Sequence, residues 1–118
     1  LSYAPVAPTW GINNRSVGFR IPAGPPASRH VEHRICGADA NPYLAIATVL
    51  AALHQGIRGR LDPGPPVAGN GYDLPPDERV PLDWHAALAA AAGSTFLNES
   101  LGSEFMTVFM AVKRAECE

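Results

Sequence analysis

Cysteines, basic blocks and long apolar runs are scarce in this 118-residue chain, and each scarcity argues against a class of protein. The two distant cysteines, Cys36 and Cys117, form neither a disulfide framework nor a CxxC zinc pair, so we expect free thiols in a reducing, cytoplasmic compartment. The longest apolar run, near residues 43–53, is too short to span a bilayer, and no signal peptide is visible. A net charge of −2 without a basic block indicates neither nucleic acid nor an anionic membrane as partner.

Most of the interpretable chemistry lies within residues 14–34. Two strand-like runs, 15–22 and 29–35, are separated by turn-forming proline, glycine and serine, which predicts a β-hairpin. Gly18 interrupts the first run and indicates either a bulge or a close approach of another backbone. Arg15 and Arg20 are five residues apart and would lie on opposite faces of a regular strand, whereas a bulge at Gly18 would bring them together.

The second run carries three polar side chains at a spacing of two. This period places His30, Glu32 and Arg34 on one face of a strand. Arginine matches carboxylate and phosphate oxygens, and Glu32 can bind a divalent cation, so the stretch is a candidate polyanion site. From these residues alone, the preferred interpretation is a solvated ion-pair network in which Glu32 pairs with Arg34 or Arg29. Four of the nine basic side chains of the chain lie here: Arg15, Arg20, Arg29 and Arg34.

Helical patterns fill much of the remaining chain. Asn41 is a good N-cap and Pro42 suits the first helical position, which predicts a helix over 41–56 that ends at Gly56. Its body is apolar on nearly every face, so we expect it to be buried on most sides. The proline- and glycine-rich segment 58–81 is predicted to be irregular, as is typical of functional or interface-forming loops. Three further helices are predicted, over 82–92, 94–102 and 103–116.

The last predicted helix, 103–116, is amphipathic. Its apolar spacing places Phe105, Phe109 and Val112 on one side of the helix. Strands followed by several helices indicate an α+β fold.

Four segments, in order, resemble the C-terminal catalytic region of the glutamine synthetase family. N-R-S-x-x-x-R-I-P at 14–22 is similar to its nucleotide-phosphate motif, and R-x-x-E-x-R at 29–34 to its metal-and-glutamate strand. G-A-D-A-N-P-Y-L-A at 37–45 and N-G-Y-D-L-P-P-D-E at 70–78 resemble two further family segments. The resemblance implies that residues 1–118 are the C-terminal part of a catalytic domain. The hairpin would then belong to a larger curved antiparallel sheet packed by three or four helices.

By position, the resemblance also implies site residues. Arg15 would be catalytic and contact the γ-phosphate of ATP and the acyl phosphate, Arg20 would contact the ATP phosphates, and His30 would lie near ATP. Glu32 would bind the Mg²⁺ or Mn²⁺ ion, and Arg34 would hold the carboxylate of the glutamate substrate. The implied reaction is ATP-dependent: glutamate becomes γ-glutamyl phosphate, and an amine or ammonia then displaces phosphate.

Two departures from the family pattern bear on the acceptor. Glutamine synthetases carry a flap glutamate over the ammonium site where this chain has Tyr3. W-G-x-N-N-R-S-V-G-F-R at 10–20 looks more like the γ-glutamyl-polyamine (putrescine) synthetase branch. The first hypothesis is therefore a γ-glutamyl-amine ligase, the second a true glutamine synthetase, and the third a non-catalytic member with an assembly or sensing role. Tyr72 lies where some bacterial glutamine synthetases carry an adenylylated tyrosine, and the different branch argues against that regulation here.

The resemblance further implies that the chain is part of a longer enzyme. Family members have an N-terminal β-grasp domain, carry their remaining metal ligands upstream, and form active sites between adjacent subunits of a stacked double ring. We therefore expect the chain alone to be inactive. It would supply one wall of a site within a double-ring homo-oligomer.

Overall fold

The computed structural model describes residues 4–117, which divide into two compact units. Within the described part, the first unit contains residues 4–40 and 62–80, and the second contains residues 41–61 and 81–117. The predicted flap position, Tyr3, lies outside the described residues. No helix in the described part is long and apolar enough to cross a membrane.

A small mixed sheet organises the first unit. Its strands lie in the order β1 (Trp10–Ile12), β2 (Phe19–Ile21) and β3 (Glu32–His33). β2 and β3 pair antiparallel, which confirms the predicted hairpin. Both strands are shorter than expected, and β2 begins only at Phe19 because residues 15–18 form a turn. β1 pairs with β2 in parallel, whereas the sequence around it predicted an extended loop. The register sets Arg20 opposite Glu32, so a guanidinium and a carboxylate meet on neighbouring strands.

Small residues and valines form the core of this unit. Ala7, Val17 and Val80 are buried, and Val17 is completely inaccessible. A Cβ at Gly18 would lie 3.3 Å from the backbone oxygens of both Ala7 and Thr9. Gly18 therefore marks a close backbone approach, one of the two roles predicted for it.

The proline- and glycine-rich segment of the first unit is irregular, as predicted, apart from a short 3₁₀ helix at Gly71–Asp73. It is fastened to β1 by two hydrogen bonds. The N–H of Val67 donates to the carbonyl of Trp10 at 2.8 Å, and the indole Nε1 of Trp10 donates to the carbonyl of Gly64 at 2.9 Å. This segment therefore packs against the sheet that carries the arginines.

Four helices form the second unit, and all four were predicted. Side-chain caps define the starts of three of them: Asn41 accepts hydrogen bonds from two backbone N–H groups, and Asp83 and Ser94 each accept one. Together with the sheet, these helices give the predicted α+β fold. Their bounds are α1 (Pro42–Gly59), α2 (Trp84–Ala92), α3 (Thr95–Leu101) and α4 (Ser103–Ala115).

Helix α1 differs from its prediction in two respects. It does not stop at Gly56 but runs to Gly59 and ends at Arg60, whose φ of 48° lies in the left-handed region. The prediction that it is buried on most sides is wrong for this chain, because α1 has no buried residue and packs mainly against α3. Its exposed face is apolar. Five large side chains on it are each at least 45% exposed: Tyr43, Ile46, Leu50, Leu53 and Ile57.

Helix α4 buries two methionines and leaves part of the predicted apolar side exposed. Met106 and Met110 are buried, whereas Phe105 and Val112 are 38% and 51% exposed. The rings of Phe105 and Phe109 stack on each other with centroids 5.8 Å apart. Flexible methionine side chains fill irregular gaps, so they pack better than rigid rings where α2 and α3 meet α4.

Candidate functional site

The side chain of Asn14 builds the turn at residues 14–17 that follows β1. Its Oδ1 accepts hydrogen bonds from the N–H of Ser16 at 2.9 Å and from the hydroxyl of Ser16 at 2.6 Å, which is an Asx turn. Its Nδ2 donates to the carbonyl oxygens of Val67 at 3.0 Å and Gly69 at 2.8 Å. One amide therefore shapes the turn and ties it to the irregular segment.

Ser16 and its neighbours add further ties around Arg15. The N–H of Gly71 donates to Ser16 Oγ at 2.7 Å, and the hydroxyl of Tyr72 donates to the carbonyl of Arg15 at 3.3 Å. A Cβ at Gly71 would lie 2.5 Å from the carbonyl oxygen of Ser16, so the two backbones meet without room for a side chain. The side chain of Arg15 itself is exposed.

Glu32 joins two of the predicted site arginines. Its Oε2 accepts a charge-assisted hydrogen bond from Arg20 Nη1 at 2.7 Å, and its Oε1 lies 3.3 Å from Arg34 Nε. Arg20 Nη2 also donates to Asn13 Oδ1 at 2.7 Å. The side chain of Arg20 is 15% exposed and that of Glu32 is 40% exposed, so the network is only partly removed from water.

Arg34 connects this network to the turn. Its Nη1 donates to the backbone carbonyls of Arg15 and of Val17, the latter at 3.1 Å. The structure therefore brings Arg15, Arg20, Glu32 and Arg34 into one connected group. The predicted pairing of Glu32 with Arg34 is present in this ligand-free chain.

The two remaining polar groups of the stretch lie apart from that network. His30 is exposed, and its Nδ1 lies 2.9 Å from the carbonyl oxygen of Ser28. Arg29 lines a cleft of about 540 Å³ together with Trp10 and Ile21. Among the ion pairs of residues 4–117, Glu32 pairs with Arg20 and Arg34 and not with Arg29, so the predicted alternative of Arg29 as its partner is wrong.

The sequence pointed to the arginines but missed the side chains that hold them in place. Asn13, Asn14 and Ser16 supply these contacts. The available signal was a pair of asparagines followed by a serine, residue types that favour turns by bonding to nearby backbone. Asn13 adopts φ of 50°, a left-handed conformation that asparagine tolerates.

An open cleft of about 670 Å³ lies beside this turn. Two guanidinium groups, four amide or hydroxyl side chains and one phenol line it: Arg15, Arg34, Asn13, Asn14, Ser16, Asn70 and Tyr72. Arginine and amide donors in a concave surface suit an anionic ligand with several oxygens.

Three titrating groups in this unit have shifted pKa values, and the hydrogen bond that Arg79 donates to Asp77 raises the pKa of Arg79. Partial burial lowers the pKa of His33, whose ring contacts the edge of Phe19 with centroids 5.1 Å apart. The lowered pKa favours the neutral imidazole of His33 at neutral pH. Hydrogen bonds from Arg79 lower the pKa of Asp77 to about 2, which keeps that surface ion pair charged across the neutral range.

The residues of this site fit a polyanion more fully than they fit a metal ion. Arg20 Nε is buried and has no hydrogen-bond partner in the described residues, and an anion oxygen would satisfy it. No three His, Cys, Asp or Glu side chains gather as a metal site anywhere in residues 4–117. Glu32 can therefore be one ligand of a divalent cation, and further ligands would have to come from outside the described part of this chain.

Known proteins resemble this chain over most of its length. Residues 1–118 match the glutamine synthetase catalytic domain. Over 117 residues the chain is 38% identical to γ-glutamylputrescine synthetase PuuA of Escherichia coli (strain K12), covering 97% of this chain and 24% of that protein. Over 120 residues it is 35% identical to the glutamine synthetase of Methanosarcina mazei, covering 96% and 27%. Over 85 residues it is 42% identical to the glutamate–isopropylamine ligase of a Pseudomonas species, covering 72% and 18%.

A solved structure, that of GmaS in its apo form without ligand, superposes with a TM-score of 0.80 at 33% identity. The overlap covers 96% of this chain and 26% of that one. Fold and family match together define part of a catalytic domain. The chain belongs to the glutamine synthetase family. It spans about a quarter of the length of the relatives that it matches over nearly its whole length.

Proposed function

We propose that this chain is the C-terminal part of the catalytic domain of a longer, ATP-dependent glutamate–amine ligase. In this proposal residues 14–34 form one wall of its phosphoryl-transfer site. The observation that carries the proposal is the connection of Glu32 to Arg20 and Arg34, with Arg34 also bound to the backbone of Arg15. Two guanidinium groups around one carboxylate, with Arg15 on the adjoining turn, concentrate the charge that phosphoryl transfer requires.

Each predicted residue has a role in this reaction. Arg15, exposed on its turn, stabilises the phosphoryl group in transfer, and Arg20 neutralises the phosphates of ATP. Arg34 holds the glutamate carboxylate, and His30 lies near the nucleotide. Mg²⁺ or Mn²⁺, held by Glu32 and by ligands outside the described residues, would supply further charge neutralisation. The side-chain carboxylate of glutamate attacks the γ-phosphorus, ADP leaves, and an amine nitrogen then attacks the acyl carbon and displaces phosphate.

The ion-pair network is compatible with this catalytic role. A carboxylate paired with two arginines stays charged and oriented, and the pairing holds both guanidinium groups at the site. When phosphates and a metal ion are bound, each group exchanges one opposite charge for another. The groups that pair with each other, Glu32 with Arg20 and Arg34, are therefore the same groups that bind the metal ion and the anionic substrates in this proposal.

The proposed acceptor is an amine. The names of PuuA and of the Pseudomonas enzyme point to amine acceptors for those proteins. A glutamine synthetase of similar identity keeps ammonia as the second candidate. The absence of a flap glutamate at Tyr3 is the sequence feature that favours the amine.

A panel of acceptors tests this choice. The complete polypeptide that carries this chain is incubated with ATP, glutamate and Mg²⁺, and phosphate release is measured with ammonia, putrescine, ethanolamine and isopropylamine. We expect release to be stimulated by at least one organic amine more than by ammonia, and to require glutamate. Release with ammonia and with none of the amines would identify a glutamine synthetase. The absence of glutamate-dependent release with every acceptor would favour the non-catalytic alternative.

We also propose that the complete protein assembles as a double-ring homo-oligomer in the cytoplasm and that this chain is inactive alone. The apolar face of α1 supports the need for additional protein, because five large exposed side chains on one helix are unusual on a stable monomer. Cys36 and Cys117 are both free thiols, which suits a reducing compartment. Sizing of the complete protein by mass photometry tests the assembly, and a monomer would contradict it.

A further inference from the structure

We infer that Asn14 and Ser16 are positioning residues that set the place of Arg15 for phosphoryl transfer. They act through a clamp, defined here as the side chains of Asn14 and Ser16 together with the N–H of Gly71. The inference rests on the proposed function, because it gives Arg15 the role of contacting the transferring group.

The hydrogen bonds of the clamp all join groups of this chain to one another. The Asn14 amide donates to two backbone carbonyls and accepts twice from Ser16. These four bonds use both N–H groups of the amide and both lone pairs of its oxygen. The Ser16 hydroxyl donates to Asn14 and accepts from Gly71. Neither side chain has a donor left over for an anionic ligand except by breaking a bond that holds the turn. Their contribution is therefore geometric.

Arg15 lies between the two clamp side chains in sequence. Its own carbonyl accepts hydrogen bonds from Arg34 Nη1 and from the Tyr72 hydroxyl. The backbone is thus held at three consecutive residues, whereas the guanidinium extends into the open cleft. A long side chain places its head reproducibly only when its backbone origin is fixed, and misplacement of a reacting group by about 1 Å can cost about 100-fold in rate.

The backbones that the clamp joins lie too close together to leave room for a side chain at Gly11 or Gly71. A Cβ at Gly11 would lie 2.9 Å from the carbonyl oxygen of Val67 and 3.0 Å from Asn14 Cβ. A Cβ at Gly71 would meet the Ser16 carbonyl at 2.5 Å. Loss of a clamp bond therefore allows the turn to move relative to β1 and to the irregular segment, and Arg15 moves with it.

A double-mutant cycle tests the inference in the complete polypeptide. Ser16→Ala, Arg15→Ala and the double variant are compared by steady-state phosphate release. We expect Ser16→Ala to lower kcat about 10-fold, with little change in KM for ATP or glutamate, because positioning acts on the transition state. We expect the double variant to be no slower than Arg15→Ala alone, because Ser16 acts through Arg15. Ser16→Thr retains the hydroxyl and is expected to recover most of the rate.

Ser94→Ala is the matched control for stability. It removes the hydroxyl that caps α3 by accepting from the N–H of Leu97 at 3.2 Å, in the other unit of the chain. We expect it to lower the unfolding midpoint without changing kcat. Hydrogen exchange gives a readout that does not need activity: exchange of the Gly71 amide should accelerate in Ser16→Ala and stay unchanged in Ser94→Ala.

The outcomes separate the inference from the proposed function. If the effects of Ser16→Ala and Arg15→Ala on kcat multiply, or if Ser16→Ala leaves kcat unchanged, the positioning role is refuted while the ligase assignment stands. If the unmodified protein releases no phosphate with any acceptor, the ligase assignment is refuted. The positioning role of the clamp in catalysis is then refuted as well. Unchanged exchange at Gly71 in Ser16→Ala would refute the clamp itself.

Discussion

Gly71 is the position at which a single methyl group should disturb the site most. Its φ is not in the left-handed region, so the backbone conformation alone permits alanine. The obstacle is space, because the added Cβ would lie 2.5 Å from the Ser16 carbonyl oxygen and 3.2 Å from Val17 Cγ1. We therefore predict that Gly71→Ala forces the irregular segment away from the turn that carries Arg15.

The size of the effect follows from these distances. Ordinary contact begins at 3.4 Å, so the Ser16 backbone must retreat by about 0.9 Å, the difference between 3.4 and 2.5 Å. A shift of that size stretches the 2.7 Å bond from the Gly71 N–H to Ser16 Oγ beyond hydrogen-bonding distance. Losing the bond costs about 1 kcal/mol and overpacking costs about 1–3 kcal/mol, so we expect about 2–4 kcal/mol of destabilisation.

Gly69→Ala is the matched control, since it lies two residues away and a Cβ there meets nothing within 4 Å. Thermal unfolding of the complete polypeptide, scanned at one rate, compares the two variants with the unmodified protein. We expect Gly71→Ala to unfold clearly earlier and to lose turnover, and Gly69→Ala to behave as the unmodified protein does. Equal midpoints and equal turnover for the two variants would refute the reasoning.

Three further predictions concern stability. Gly56→Ala, inside α1 with nothing within 4 Å of the added Cβ, should raise stability by up to about 1 kcal/mol, and a lower unfolding midpoint would contradict this. The pKa of Asp77 is lowered from 3.8 to about 2, so its ion pair with Arg79 stabilises the fold above pH 3.8 and is lost as the pH falls toward 2. The midpoint difference between the unmodified protein and Arg79→Ala should vanish over that range, and a constant difference would argue against the linkage. Trp10→Phe removes the indole hydrogen bond to Gly64 and should cost about 1 kcal/mol in denaturant unfolding, whereas an unchanged transition would show that bond to be unimportant.

Local signals in the sequence were sufficient for the helices. Asn41 before proline and Ser94 before a helical pattern are both N-caps in the structure, because capping depends on neighbouring residues alone. Helix ends and buried faces were harder. Gly56 was the predicted stop, yet α1 continues to Gly59, and α4 buries Met106 and Met110 instead of its phenylalanines. Which face is buried depends on partners that are distant in sequence.

In the site, too, some contacts could be predicted from local sequence and others could not. The hairpin placed Glu32 near arginines, because register is a local property of two short strands. The pairing with Arg20 was missed, since the strand begins only at Phe19 and residues 15–18 form a turn. The bonds from Asn14 and Ser16 span 53 to 55 residues of sequence, and no local pattern encodes such contacts. The parallel β1 was missed for a different reason: it pairs with the nearby β2, but the prolines before it indicated a loop.

The central claim is that Glu32 belongs to a phosphoryl-transfer site and is not only a partner for two arginines. Glutamate-dependent phosphate release from ATP, measured for Glu32→Gln in the complete polypeptide, tests it most directly. Asp77→Asn is the matched control, because it also converts an arginine-paired carboxylate to an amide, at a position without a proposed role in the site. The account predicts a loss of about 100-fold or more for Glu32→Gln and unmodified turnover for Asp77→Asn. Full turnover in Glu32→Gln would show that Glu32 serves only the ion-pair network.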